Sequence, residues 1–98
     1  MLDKLKSSDF EPYRHQKFLI HVGEAAPREA ELLQVTELGA AGPNAQRKPF
    51  SLIFRGPRER RLPQRIYKVQ HEQLGEMEIF LVPVAVDEKG YQYEAVFN

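Results

Sequence analysis

Two glycines in the last third of the chain, Gly75 and Gly90, restrict its folding more than any other feature. Each ends a short polar stretch between alternating apolar runs: Gln73-Leu74-Gly75 and Glu88-Lys89-Gly90. The third residue of a three-residue hairpin loop is left-handed, a conformation open to glycine without steric cost. So placed, the first loop pairs His71 with Met77, Val69 with Ile79 and Tyr67 with Leu81. The second pairs Asp87 with Tyr91, Ala85 with Tyr93, Pro83 with Ala95 and Leu81 with Phe97. Both registers, set independently, put the odd-numbered residues of the shared strand on one face, where a one-residue slip would invert every side chain. The reading is a three-stranded antiparallel meander over residues 65–97.

Upstream, Phe18 to Val22 alternates as a strand with Phe18, Ile20 and Val22 on one face. Gly23 to Pro27 is a turn. Glu29 to Leu38 suits helix or strand, but Val35, Thr36 and its short length favour a strand, with a bulge at Leu32-Leu33 where alternation breaks. Gly39 to Asn44 is a loop. Phe50 to Arg55 is a strand with Phe50, Leu52 and Phe54 inward, stopped by Gly56-Pro57, and Arg58 to Pro63 is an exposed basic loop. Ser8, with Glu11 three residues on, has capping-box spacing, so a short N-terminal helix is expected to lay Phe10 and Tyr13 against the sheet. The expected fold is all-β: a single domain over 1–98, a small six-stranded antiparallel barrel or sandwich with that helix. Its inward set is Phe18, Ile20, Val22, Phe50, Leu52, Phe54, Tyr67, Val69, Met77, Ile79, Leu81, Tyr93 and Phe97.

The even-numbered face of the meander is mixed. Lys68, Gln70, Glu76, Glu78 and Glu94 suit solvent; Ile66, Phe80, Val82, Val84 and Val96 do not. The expected register gathers them at one end, Ile66 beside Val82 and Val82 beside Val96. An apolar patch of that kind calls for cover. The N-terminal helix, a second copy of the chain or another partner could supply it.

Charge is also separated along the chain, although the net is zero. From Arg47 to Lys68, eight cations face Glu59 alone and leave +7; elsewhere six cations face thirteen acids and leave −7. Separated charge selects what approaches and from which side. Arg55, Arg58, Arg60, Arg61 and Arg65 form the densest part and are the candidate contacts for a partner or an anion. Nucleic acid is disfavoured, because the sequence pI is near 6.8 and the loop has no stacking aromatics.

Signs of catalysis are sparse. Neither His15, His21 nor His71 has a second histidine at metal-ligand spacing. His71 precedes a turn whose backbone it could bond. The pairs Glu76/Glu78 and Asp87/Glu88 fit exposed strand and turn positions better than a desolvated acid–base pair. Ser7, Ser8 and Ser51 lack a nucleophile elbow, and Gly39-Ala40-Ala41-Gly42 lacks the ending of a phosphate loop. There is no cysteine and no apolar run long enough for a membrane helix, and the N-terminus lacks the apolar centre of a signal peptide. The expected setting is cytoplasmic, with no cofactor.

Arg47-Lys48-Pro49-Phe50-Ser51-Leu52-Ile53-Phe54-Arg55-Gly56-Pro57, Leu62-Pro63-Gln64, Phe80-Leu81-Val82-Pro83 and the closing Tyr93-Glu94-Ala95-Val96-Phe97-Asn98 together resemble a family of small bacterial proteins of about one hundred residues, known as a domain of unknown function. The opening Leu2-Asp3-Lys4-Leu5 and Asp9-Phe10-Glu11-Pro12 join that resemblance, which covers nearly the whole chain. It implies no activity or site residue. Members of that family are sometimes encoded beside phage-tail-collar-like proteins, so the resemblance implies an accessory role in such an assembly.

The leading expectation is therefore a non-enzymatic protein-interaction module, self-associating through Ile66, Phe80, Val82, Val84 and Val96. The alternative is a binding domain for a small anionic ligand, using the basic 55–65 loop. An enzyme ranks third and would need His71 or His21 beside a carboxylate.

Overall fold

The computed structural model describes residues 5–23, 25–39 and 48–98. Six strands form a closed antiparallel barrel: β1 (Lys17–His21), β2 (Arg28–Glu37), β3 (Phe50–Arg55), β4 (Arg65–His71), β5 (Gly75–Val86) and β6 (Tyr91–Phe97). Around the ring the order is β1-β2-β3-β6-β5-β4, and β4 returns to β1. A short helix, α1 (Ser7–Phe10), runs into a single 3-10 turn at Glu11–Tyr13. The expected choice between barrel and sandwich resolves to the barrel.

Alternation decides which side chains fill it. Phe18, Ile20, Phe50, Leu52, Phe54, Val69, Leu81 and Tyr93 are fully buried, and Tyr67, Met77, Ile79 and Phe97 nearly so. Val22, expected inside, is only half-buried, because β1 ends at His21. Phe50 and Phe97 stack in parallel with centroids 4.7 Å apart, directly paired across β3 and β6. Phe10 of α1 closes that end of the barrel, 5.9 Å from Phe50 and 5.8 Å from Phe97. The helix thus lies where expected, but its cap is not Ser8. The Lys6 amide donates to the Asp9 carboxylate at 2.7 Å, so the turn starts at Ser7.

β2 is a strand over its full length, with the bulge at Leu33 where the apolar pair interrupts the alternation. The loop expected from Gly39 to Asn44 lies beyond Gly39 outside the described residues, as does Arg47.

Both hairpins form, with registers shifted from expectation by two residues or nearly so. Tyr67 pairs with Ile79, Val69 with Met77 and His71 with Gly75. The loop is Glu72-Gln73-Leu74, and Gly75 follows it as a paired left-handed residue at φ 77°. That is the turn-plus-bulge form of the hairpin, in which glycine belongs to the strand. Across the second hairpin Pro83 pairs with Tyr93 and Val82 with Glu94, and the register then shifts between Pro83 and Ala85. Pro83 has no amide to give the ladder, and an irregularity beside it is the usual accommodation. A slip of two keeps the same residues inside, so the core survives while the pairing changes.

Gly90 has no left-handed φ. Asp87 builds its turn: the Lys89 and Gly90 amides both donate to Asp87 Oδ1 at 2.9 Å. Glycine is needed at position 90 for room, since a Cβ there would stand 1.8 Å from the Gly56 carbonyl oxygen.

Candidate functional site

An enzyme built on this chain would depend on its histidines. His71 is buried between two rings, 4.5 Å from both Tyr13 and Phe18. Its Nδ1 accepts from the Gln73 and Leu74 amides at 3.1 and 3.3 Å, which leaves Nε2 to donate to Gln16 Oε1 at 3.0 Å. Burial holds its pKa below the ordinary 6.5, against an opposing pull from Glu72. This is a turn-fastening histidine, the role its position before the loop suggests. His21 Nε2 meets Gln70 Oε1 at 2.9 Å, not a carboxylate. Exposed His15 does approach an acid, 3.3 Å from Glu31, from a left-handed backbone at φ 68°. Among the described residues no group of three or more His, Asp or Glu side chains is arranged to hold a metal.

The five arginines of the basic segment go to different places. Arg55, at the end of β3, is largely buried and bonds Glu31 at 3.2 Å and Asp87 at 3.1 Å. Asp87 is thereby held by Gln92, two backbone amides and Arg55, and its pKa falls to about 2. These contacts bind β2, β3 and the β5–β6 turn together. Arg58 reaches the Glu88 carbonyl at 3.5 Å, and Arg61 is exposed. Arg60 and Arg65 flank a cleft of about 240 Å³ at the barrel end where β1 finishes and β2 and β4 begin.

The loop that carries these arginines is fastened to the barrel. Leu62, expected in solvent, is buried, and its amide donates to the Tyr93 hydroxyl at 2.8 Å. Tyr67 donates its hydroxyl to the Pro63 carbonyl at 2.6 Å. The sequence signal for this anchorage is Leu62-Pro63 itself, an apolar pair inside a charged run. Three further cleft residues, His21, Arg28 and Lys68, give no such signal, because they come from segments far apart in the chain.

The even-numbered face of β4, β5 and β6 looks outward. Ile66 pairs with Phe80, and Val96 lies beside them in one shallow depression of about 380 Å³. Ile66 is 62% exposed, Phe80 49% and Val96 51%. Val84, the unpaired residue at the irregularity in β5, is likewise exposed. Val82 departs from expectation: it faces Glu94, is half-buried, and does not join Ile66 to Val96. The N-terminal helix does not supply cover, because Phe10 is committed to the Phe50–Phe97 end of the interior.

A family model described as a domain of unknown function, DUF6916, matches residues 5–97. The chain belongs to this family. No curated protein and no solved structure matches it. The family assignment agrees with the resemblance carried by the Arg47–Pro57 block and the closing strand, and it brings no activity with it. No helix among the described residues is long and apolar enough to cross a membrane.

Proposed function

We propose that this barrel is a non-enzymatic contact module that associates with a second copy of itself through the outer face of β4, β5 and β6. The observation that carries this is the cluster of Ile66, Phe80 and Val96, about half or more exposed, with no segment of the described chain over them. Apolar groups so grouped on a small domain favour burial, at about 25 cal/mol per Å² removed from water. The rim supports a self-contact. Beside the Ile66–Phe80 pair Lys68 faces Glu78, with Glu76 one step further along β5, and Glu94 lies on β6 opposite Val82. A two-fold stacking of the same face on itself places apolar centre on apolar centre and lets opposite charges meet at the edge. So few side chains make a small face for an obligate dimer, and the association is a weak one. An accessory place in a larger assembly, as the family resemblance implies, fits a module that offers such a face.

Sedimentation velocity from micromolar to millimolar protein tests this. The wild type is expected to shift from monomer to dimer across that range, and Phe80→Glu to remain monomeric with an unchanged circular-dichroism spectrum. A wild type that stays monomeric throughout removes the basis of the reading.

A further inference from the structure

We infer that the cleft where β1 finishes binds a terminal phosphoryl group, free or borne on a lipid surface. Its cations come from three parts of the chain: Arg28 at the start of β2, Arg60 in the long loop, and Arg65 and Lys68 on β4. His21 and Tyr67 complete the walls. No carboxylate lines it among the described residues. Lys68 touches Glu76 only at 3.9 Å, and Arg65 lies over the Tyr67 ring, 5.7 Å from its centroid. Neither Arg28 nor Arg60 has an ion pair among the described residues.

Arg28 supplies the second observation. Its Nε is buried and has no hydrogen-bond partner among the described residues. A buried donor left unpaired is costly, more so when charged, and an acceptor brought against it would remove that cost. At Arg55, by contrast, two carboxylates satisfy the guanidinium. In the cleft no described protein acceptor does so for the Arg28 Nε.

The chemistry selects the ligand class. Guanidinium forks match the paired oxygens of phosphate or carboxylate, and several converging cations favour the more highly charged of the two. A volume of about 240 Å³ is below the roughly 300–1,000 Å³ of sites for drug-sized ligands. It fits one phosphoryl or pyrophosphoryl group. Two tyrosine hydroxyls hold the loop at Leu62 and Pro63, so the backbone flanking Arg60 is placed before any ligand arrives.

Pyrophosphate is the probe. Thermal unfolding of the full chain is followed with pyrophosphate and with sodium chloride at matched ionic strength. At ten times the dissociation constant a single site raises the midpoint by about 5 °C or more in a domain of this size. Arg28→Met is expected to weaken binding about tenfold or more. Arg58→Gln, outside the cleft, should leave it unchanged. Because Arg28 opens β2 and its replacement bears on that strand, Arg65→Gln is tested beside it, with titration calorimetry as a second readout. Phosphatidylcholine vesicles with and without phosphatidic acid separate the sources: binding that requires phosphatidic acid assigns the site to a surface-borne phosphomonoester, and binding of pyrophosphate alone to a free ligand. Equal midpoints in pyrophosphate and chloride overturn the proposal, as does undiminished binding by both cleft variants. A single-stranded oligonucleotide bound far more tightly than pyrophosphate, with a steep salt dependence, also overturns it. The monomeric Phe80→Glu variant should bind as the wild type does, so this test and that of self-association fail separately.

Discussion

Replacing Gly90 by alanine should be far more damaging than the same change at Gly75, although the two loops look alike in the sequence. At position 90 the new methyl carbon would lie 1.8 Å from the Gly56 carbonyl oxygen, well inside the 3.0 Å below which such contacts essentially never fall. One backbone must retreat by more than an ångström. The Gly56 amide donates to the Tyr91 carbonyl at 2.9 Å, and the Gly90 amide and carbonyl are bonded to Asp87, so the retreat strains this set of bonds. Overpacking costs about 1–3 kcal/mol, and each weakened hydrogen bond adds about 1 kcal/mol. The sum is about 3 kcal/mol or more, a large share of the roughly 5–15 kcal/mol that holds a domain together. At Gly75 nothing lies within 4 Å of the place a methyl group would take, and the penalty is the left-handed backbone at φ 77° alone. That costs about 1–2 kcal/mol for alanine. Urea unfolding of the two variants gives the comparison. In thermal terms Gly90→Ala should lower the midpoint by about 12 °C or more, on about 4–8 °C per kcal/mol. A Gly90→Ala variant no less stable than Gly75→Ala would show that the turn is not pinned against Gly56 as described.

Three further outcomes follow from polar groups held in the fold. Because burial lowers the His71 pKa from 6.5, the unfolded chain binds more protons as pH falls below 6.5, and stability should decline there; urea midpoints between pH 8 and 5 should show a slope that His71→Gln flattens. Asp87 has the opposite chemistry. Its folded pKa of about 2 lies below the ordinary carboxylate value, so its contribution is intact above about pH 4 and is lost as pH falls through about 2; Asp87→Ala should be less stable at neutral pH and lose less on acidification, as read by circular dichroism. Tyr93→Phe leaves the buried Leu62 amide without its acceptor and should cost about 1–3 kcal/mol in denaturant unfolding, with Tyr67→Phe losing less because its partner is a loop carbonyl nearer to solvent.

Face assignment is legible in the sequence because it depends only on parity. Tyr67, Val69, Met77, Ile79 and Leu81 point inward in any register shifted by two, so the core emerges even from the wrong pairs. Register depends on whether glycine ends the loop or begins the strand, and composition at Gly75 is the same for both. Pro83 carries a warning, since a proline inside a long strand signals an irregularity; Val82 leaves the apolar patch because the shifted registers pair Ile66 with Phe80 and Val82 with Glu94. Ile66, Phe80 and Val96 are legible as a surface because their neighbours on the same face are charged. The cleft is not, beyond Arg60 and Arg65, since Arg28 and Lys68 reach it only when β1 closes on β4.

The order of strands around the ring has a consequence for how the chain reaches it. β6 is the last of the six along the chain, yet it sits between β3 and β5. Until it arrives, the other strands can form only a ribbon, β3-β2-β1-β4-β5, with bare ladders along both margins and the Phe50 and Phe54 rings lacking their cross-strand partners Phe97 and Tyr93. Contacts between distant positions must be made before most of the interior is rewarded, which slows assembly. During synthesis from the N-terminus, the open margins of β3 and β5 are the interval of greatest danger for stray pairing, and β6 is the keystone that ends it.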